Sequence, residues 1–107
     1  MKEIYRKITE LDRVVNEPAR LAILIALYEL KEADFVFLHR ITGITRGNLS
    51  AHLKKLEEAG YVEIEKKFVG KKPMTIIRLT REGRRALTRY FETLKDAIQN
   101  IESDGDH

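Results

Sequence analysis

Residues 45–62 read TRGNLSAHLKKLEEAGYV, and the apolar side chains in this stretch repeat at the spacing of a helix. With about 100° of turn per residue, three leucines fall on one face of that helix: Leu49, Leu53 and Leu56. Thr45 is a favourable N-cap in front of the helix, and Gly60 ends it. The pattern therefore predicts a helix over residues 46–59 that packs on a core through its leucine face.

The stretch immediately upstream completes a two-helix motif. Residues 35–42 are mostly apolar, and Gly43 follows them in the place of a left-handed C-cap. Two short helices joined by a tight turn that contains glycine are typical of a helix-turn-helix. We therefore predict a helix-turn-helix over residues 35–59.

The side of the second helix that faces away from its leucines carries small and basic residues. A small surface lets a helix approach base edges closely, whereas lysines further along can reach phosphates. Asn48 can pair with adenine and Arg46 with guanine, and the free amides near Thr45 form a phosphate site. The alternative is an ordinary solvated helix face. The residues of this helix predicted to contact DNA are Thr45, Arg46, Gly47, Asn48, Ser50, Ala51, Lys54 and Lys55.

Downstream, the apolar pattern changes from the period of a helix to that of a strand. Residues 61–66 and 77–80 alternate between apolar and polar side chains, and residues 69–73 form a turn between them. The pattern predicts a β-hairpin, or wing, over residues 61–80 with a basic tip. Arg78 has alternative partners in Glu63 and Glu65 across the hairpin. The wing residues predicted to contact DNA are Lys66, Lys67, Lys71, Lys72 and Arg78.

Helical patterns also precede and follow the motif. Apolar residues recur at helical spacing from Ile4 to Val15, residues 18–31 are apolar almost all round, and Thr80 caps a final helix over 81–102. The terminal stripes are longer than one small domain can cover, which predicts a two-fold dimer. The alternative is that the two terminal helices cover each other within one chain. The predicted interface consists of Ile4, Ile8, Leu11, Leu87, Phe91, Leu94, Ile98 and Ile101.

Length and composition limit the classes of protein. The 107 residues allow one domain, predicted over residues 1–102 with a disordered tail at 103–107. The absence of cysteine excludes a disulfide scaffold and a thiolate metal cluster. No run is long enough for a membrane span, and the start lacks an apolar signal-peptide core, so we expect a cytoplasmic protein without a membrane partner.

Catalytic and metal-binding patterns are missing from the sequence. It contains no phosphate-binding loop, no G-x-S-x-G and no H-E-x-x-H, so we expect neither an enzyme nor a cofactor nor a metal site. His39 and His52 are predicted to have structural roles.

The distribution of charge favours binding to a polyanion instead of catalysis. Residues 39–89 hold 13 lysines and arginines but 5 acids, while the two ends are acidic overall. A basic middle favours a surface that binds a polyanion.

Two stretches resemble the MarR/ArsR-type winged-helix transcriptional regulators. Residues 49–62 resemble their recognition helix and first wing strand, and residues 79–84 (LTREGR) resemble the start of their last helix. Over about residues 11–94, the resemblance implies a mainly α fold with a small β-hairpin wing (α+β). It also implies a recognition helix in the major groove and a wing on the backbone or in the minor groove. Residues 35–40 lack the cysteines of the metal-sensing members.

These observations together predict a homodimeric, sequence-specific regulator of transcription that binds double-stranded DNA and acts as a repressor. Two other classes stay open: a winged-helix adaptor that binds proteins, and an architectural protein that binds DNA without sequence specificity. A small-molecule effector also stays open. Any effector pocket is expected between the helix-turn-helix and the helices of the dimer.

Overall fold

The computed structural model describes residues 2–105 of the chain. Its elements are α1 (Lys2–Thr9), α2 (Pro18–Leu30), β1 (Glu32–Asp34), α3 (Phe35–Thr42), α4 (Arg46–Glu58), β2 (Val62–Val69), β3 (Lys72–Leu79) and α5 (Arg81–Gly105). This order confirms the predicted mainly α fold with a small β-hairpin wing. α3 and α4 form the helix-turn-helix, and β2 and β3 form the wing.

The ends of the helices follow the predicted chemistry. α2 begins with Pro18 in its first turn, and the side chain of Glu17 caps it by accepting from the Arg20 N–H. α3 ends at Gly43, whose φ of 73° is left-handed, and glycine adopts that conformation without steric cost. The hydroxyl of Thr80 accepts from the Gly83 N–H at 3.0 Å and so caps α5. Local sequence therefore fixes these three helix ends.

The sheet contains a strand that the sequence analysis missed. β1 pairs with β3, which also pairs with β2, so the antiparallel order is β1-β3-β2. Glu32 lies opposite Arg78 on one side, and Glu63 lies opposite the same residue on the other. Three residues are too few to show an alternating pattern. β1 joins α2 to α3 and therefore attaches the base of the wing to the helix-turn-helix.

The first helix is shorter than predicted. The apolar stripe suggested one helix as far as Val15, but α1 ends at Thr9. The reason is Asp12, whose Oδ1 accepts from the Val14 N–H at 2.8 Å and the Val15 N–H at 3.1 Å. An aspartate that bonds nearby backbone amides in this way stabilises a turn instead of a helix. Val15 still reaches the core, from the turn after α1.

The Asp12 carboxylate also holds the base of the wing, because its Oδ2 accepts a hydrogen bond from the Tyr61 hydroxyl. Burial and the nearby Asp12 carboxylate raise the pKa of Tyr61 to about 12, from an ordinary value of 10.0. The neutral phenol is therefore favoured in the folded protein. The stability that the neutral Tyr61 phenol contributes to the folded protein is complete below about pH 10, and it is lost as the pH rises from about 10 to 12.

We predict that Tyr61→Phe lowers the free energy of unfolding by about 1–2 kcal/mol at neutral pH, because Asp12 loses a partner. The cost should shrink between about pH 10 and 12, where the wild-type phenol ionises. Urea unfolding at a series of pH values measures both effects. Tyr5→Phe is the control, because Tyr5 is exposed. A cost for Tyr61→Phe that stays constant up to pH 12 would contradict the pKa assignment.

The core lies where α2, the helix-turn-helix, the wing base and α5 meet. One correction concerns Leu87, which was predicted to lie in the dimer interface but is 1% exposed within the single chain. It belongs to the core and is not available to a partner. The largest fully buried side chains are Val15, Ile23, Leu24, Leu27, Leu38, Leu49, Leu56, Val62, Ile77 and Leu87.

The last helix is longer than predicted. α5 runs from Arg81 to Gly105, so residues 103–105 of the expected disordered tail are helical. The rest of that tail, residues 106–107, lies outside the described residues. Between residues 2 and 105, every helix is either too short or too polar to cross a membrane.

Candidate nucleic-acid interface

The turn that presents α4 is fixed by hydrogen bonds at both of its ends. The Thr45 hydroxyl accepts from the Asn48 N–H at 3.3 Å and caps α4. His39 Nδ1 lies 2.6 Å from the Ile44 carbonyl oxygen, to which it donates. The Thr42 hydroxyl accepts from the Ile44 N–H at 3.3 Å. His39 thus has a structural position, and the N-terminus of α4 is held rigidly with its first amides free.

The exposed face of α4 is the one that the helical periodicity indicates. Leu49, Leu53 and Leu56 are buried. All eight residues predicted to contact DNA from this helix are exposed: Thr45, Arg46, Gly47, Asn48, Ser50, Ala51, Lys54 and Lys55. The surface near the N-terminus is small, and both lysines follow further along. It can approach a groove without a steric barrier.

A side-chain cluster that sequence reasoning missed attaches α4 to α2. Arg20 Nη1 lies 3.3 Å from His52 Nδ1, and Arg20 Nε donates to the Val14 carbonyl at 2.7 Å. His52 Nδ1 is also 3.5 Å from Glu17 Oε2. Burial raises the pKa of the Glu17 carboxyl, but the Arg20 and Ala19 backbone N–H groups, together with the nearby His52 and Arg20 side chains, lower it below its ordinary value. The sequence signal was a single arginine in the first turn of a mostly apolar helix.

The wing places its lysines on both of its faces. Val69 pairs with Lys72, so Gly70 and Lys71 form a two-residue turn, in which Gly70 has a φ of 66°. Lys66 lines a cavity of about 290 Å³ together with Ser50 of α4, so it lies on the side of the recognition helix. Lys67 and Lys72 lie on the opposite side by strand alternation. All four wing lysines are exposed: Lys66, Lys67, Lys71 and Lys72.

Arg78 lies at the wing base between two carboxylates. Its Nη2 is 2.8 Å from Glu65 Oε1, and its Nε is 3.2 Å from Glu32 Oε1. The hydrogen bond from Arg78 lowers the pKa of Glu65, and the bonds to Glu65 and Glu32 raise the pKa of Arg78. Glu65 was one of its two alternative partners in the sequence. Because two carboxylates engage its guanidinium, Arg78 is not among the proposed DNA contacts.

The predicted dimer face is divided between packing within the chain and solvent exposure. α1 packs against α5, and Leu11 and Leu94 are partly buried against the core. Phe91, Ile98 and Ile101 remain 43%, 54% and 67% exposed along α5. The terminal helices therefore cover each other only in part. The apolar surface continues onto α2, because Tyr28 and Phe91 line one cavity of about 280 Å³.

A more polar cavity lies between the α1–α2 linker and α5. Its volume is about 330 Å³, and Asp12, Arg89 and Tyr90 are among the residues that line it. The size is within the range of small-molecule sites. The α1–α2 linker and α5 line this cavity, so it does not coincide with the effector pocket expected between the helix-turn-helix and the helices of the dimer.

The arrangement of α2, the helix-turn-helix, the wing and α5 defines a winged helix-turn-helix. The family described as "Winged helix DNA-binding domain" matches residues 19–98, about three-quarters of the chain. The chain belongs to this family. An uncharacterized protein of Methanocaldococcus jannaschii is 39% identical over 90 residues, which are 84% of this chain and 98% of that protein.

Solved structures show the same architecture. The transcriptional regulator homologue from Pyrococcus horikoshii superposes with a TM-score of 0.83 at 28% identity, covering 94% of this chain and 98% of that one. The crystal structure of MarR superposes with a TM-score of 0.73 at 19% identity, covering 96% of this chain and 78% of that one. The predicted resemblance to MarR-type winged-helix regulators is confirmed at the level of the fold.

Proposed function

We propose that the chain is a homodimeric regulator of transcription that recognises specific sequences in double-stranded DNA. The observation that carries the proposal is the exposed face of α4, small near its N-terminus and basic further along, beside a wing with four exposed lysines. In this arrangement α4 enters the major groove. Arg46 and Asn48 meet base edges, Lys54 and Lys55 meet phosphates, and the first amides of α4 bind a further phosphate.

The proposed dimer forms through the apolar side chains that α5 leaves exposed. Phe91, Ile98 and Ile101 supply this surface, with Ile4 and Ile8 of α1 beside it. A two-fold axis through these helices presents two copies of α4 about 34 Å apart, at successive major grooves. Sedimentation at micromolar concentration measures the assembly, and a stable monomer would contradict it.

The proposed action is repression inside the cytoplasm, by a single domain over residues 1–102. Bound to its site, the dimer covers two major grooves and the backbone between them. Occupancy of DNA by itself excludes other proteins from the same grooves, so repression requires no further partner. A reporter gene placed behind the selected binding site tests this proposal, since an activator would raise its expression.

Selection of bound duplexes from a random pool tests the proposed function. We expect a palindromic motif with half-sites about 10 bp apart, together with steep salt dependence. An adaptor that binds proteins would show no steep salt dependence with duplex DNA. An architectural protein would show the salt dependence but would enrich no motif. Each outcome identifies a different class.

A single substitution in α4 tests base reading. Asn48→Ala should remove about 1–3 kcal/mol of preference per half-site for the cognate base, and the salt slope should stay almost unchanged. The cap of α4 survives, because Asn48 bonds Thr45 through its backbone N–H. Affinities on selected and scrambled duplexes over a salt series measure both quantities. If both duplexes weaken equally, Asn48 does not read a base.

A further inference from the structure

Near the tip of the wing, one apolar side chain is exposed instead of packed on the core. Phe68 is 72% exposed, the largest value among the exposed large hydrophobic residues of the described chain. On the same face of the hairpin, Val62 and Ile77 are buried, whereas Phe68 lies beyond them opposite Pro73, which is also exposed. The core therefore ends before the tip, and Phe68 projects past it.

The face on which Phe68 lies is that of the recognition helix. Strand alternation puts Phe68 on the side of Ile64 and Lys66, and both of those residues line a cavity with Ser50 and Leu53 of α4. Phe68 is four residues beyond Ile64, or about 13 Å further out along the strand. The major groove is about 12 Å wide. With α4 in that groove and β2 running across it, this length carries the wing tip past the bordering phosphates to the neighbouring minor groove.

The charge around Phe68 identifies the kind of surface that it meets. Residues 66–72 contain four lysines but not one aspartate or glutamate, whereas Arg78, further along β3, is paired with Glu65 and Glu32. The four lysines flank Phe68 in pairs: Lys66 and Lys67 before it, and Lys71 and Lys72 after it. An apolar side chain framed by cations complements a groove whose edges are phosphates and whose floor is stacked bases.

We propose that Phe68 inserts into the minor groove as an apolar wedge and partly unstacks one base step. The inference rests on the proposed function, because it requires α4 in the adjacent major groove. Lys66 on the face of Phe68 and Lys71 in the turn hold phosphates beside the ring, and Lys67 and Lys72 on the other face of the hairpin hold phosphates on the opposite side. Unstacking is easiest at pyrimidine–purine steps, so Phe68 adds a preference for such a step beyond the bases that α4 contacts.

The test uses the full chain and a selected duplex that carries 2-aminopurine at the step beside each half-site. This base analogue fluoresces more strongly when it is unstacked. We expect wild type to raise the fluorescence on binding. Phe68→Ala should abolish the increase and weaken affinity about tenfold without changing the salt slope, since no charge is removed.

Two variants distinguish a wedge from general damage to the hairpin. Phe68→Leu keeps an apolar wedge and should retain most of the affinity and of the fluorescence increase. Val69→Ala removes apolar surface from the neighbouring residue on the opposite face, where Val69 is 54% exposed, and should behave like wild type. Equal unfolding midpoints for all variants show that the fold is intact. Equal loss in both alanine variants would contradict a specific role for Phe68.

The remaining outcomes separate the wedge from the proposed function. If wild type binds the duplex and Phe68→Ala binds it equally well, the proposed wedge role of Phe68 is wrong, and the proposed function as a DNA-binding regulator is unaffected. If wild type binds no duplex, the proposed function fails first. Binding to phosphatidylserine vesicles that Phe68→Ala loses would reassign Phe68 to a lipid surface. A dimer that Phe68→Ala dissociates would reassign it to a second copy of the chain.

Discussion

Gly83→Ala is expected to lower the free energy of unfolding by about 3 kcal/mol and the melting temperature by more than about 10 °C. Gly83 lies in the first turn of α5, against the strand entry of the wing. A Cβ there would lie 2.9 Å from both the carbonyl carbon of Tyr61 and Leu79 Cδ1, and closer still to the Tyr61 oxygen. That oxygen already accepts from the Thr80 N–H at 3.1 Å. The methyl group must therefore push the wing base away from α5.

The matched control for this prediction is Gly47→Ala in α4. An added Cβ at Gly47 meets nothing within 4 Å, so the ordinary helix preference for alanine should raise the free energy of unfolding by up to about 1 kcal/mol. Helix propensity alone predicts that Gly83→Ala would gain the same stability as Gly47→Ala. Thermal and urea unfolding of both variants therefore show whether helix propensity or the steric clash dominates at Gly83. Equal or greater stability of Gly83→Ala would show that the wing and α5 are not in close contact at this point.

Replacing Lys71 and Lys72 together by alanine is expected to weaken binding to every duplex, cognate or scrambled, by more than about 100-fold at 0.1 M salt. Both lysines are exposed at the wing tip and act as point charges near phosphates. If each neutralises one phosphate, a dimer loses four contacts. The slope of log K against log salt should then flatten by about 0.9 per contact, or nearly 4.

The control for the wing lysines is Lys7→Ala, because α1 packs against α5 and Lys7 is exposed there. It removes a positive charge at a distance from the proposed DNA surface and should leave the slope unchanged. Binding affinity measured over a salt series gives both slopes. An unchanged slope in the double wing variant would mean that the wing does not touch DNA. If Lys7→Ala flattened the slope equally, the change in slope would reflect the net charge of the protein and not a contact between the wing and DNA.

The two lysines and Phe68 respond differently in the same assay. Loss of the lysines changes the salt slope and leaves the ring in place. Loss of the ring should leave the salt slope unchanged and remove the increase in 2-aminopurine fluorescence. Asn48→Ala changes neither and alters the preference between duplexes. The three variants therefore separate attraction to the backbone, unstacking of a base step and reading of a base edge.

The sequence by itself determined most of the helix-turn-helix and the wing, because these features depend on neighbouring residues. Thr45, Gly43 and Pro18 act through caps and backbone preferences that need no distant partner. The spacing of Leu49, Leu53 and Leu56 likewise fixes which side of α4 is buried, and so which side faces outward. Alternation of apolar and polar residues predicts the hairpin in the same local way.

Only the tertiary structure decided the features that join residues far apart in the chain. Leu87 followed the same periodicity as Phe91, but α5 packs against the rest of the fold at Leu87 and leaves Phe91 exposed. Asp12 caps a local turn after α1, but its second carboxylate oxygen accepts from Tyr61, which lies 49 residues away. Periodicity shows which residues of one element share a face. It does not show which distant element covers that face, because that depends on how the whole chain packs.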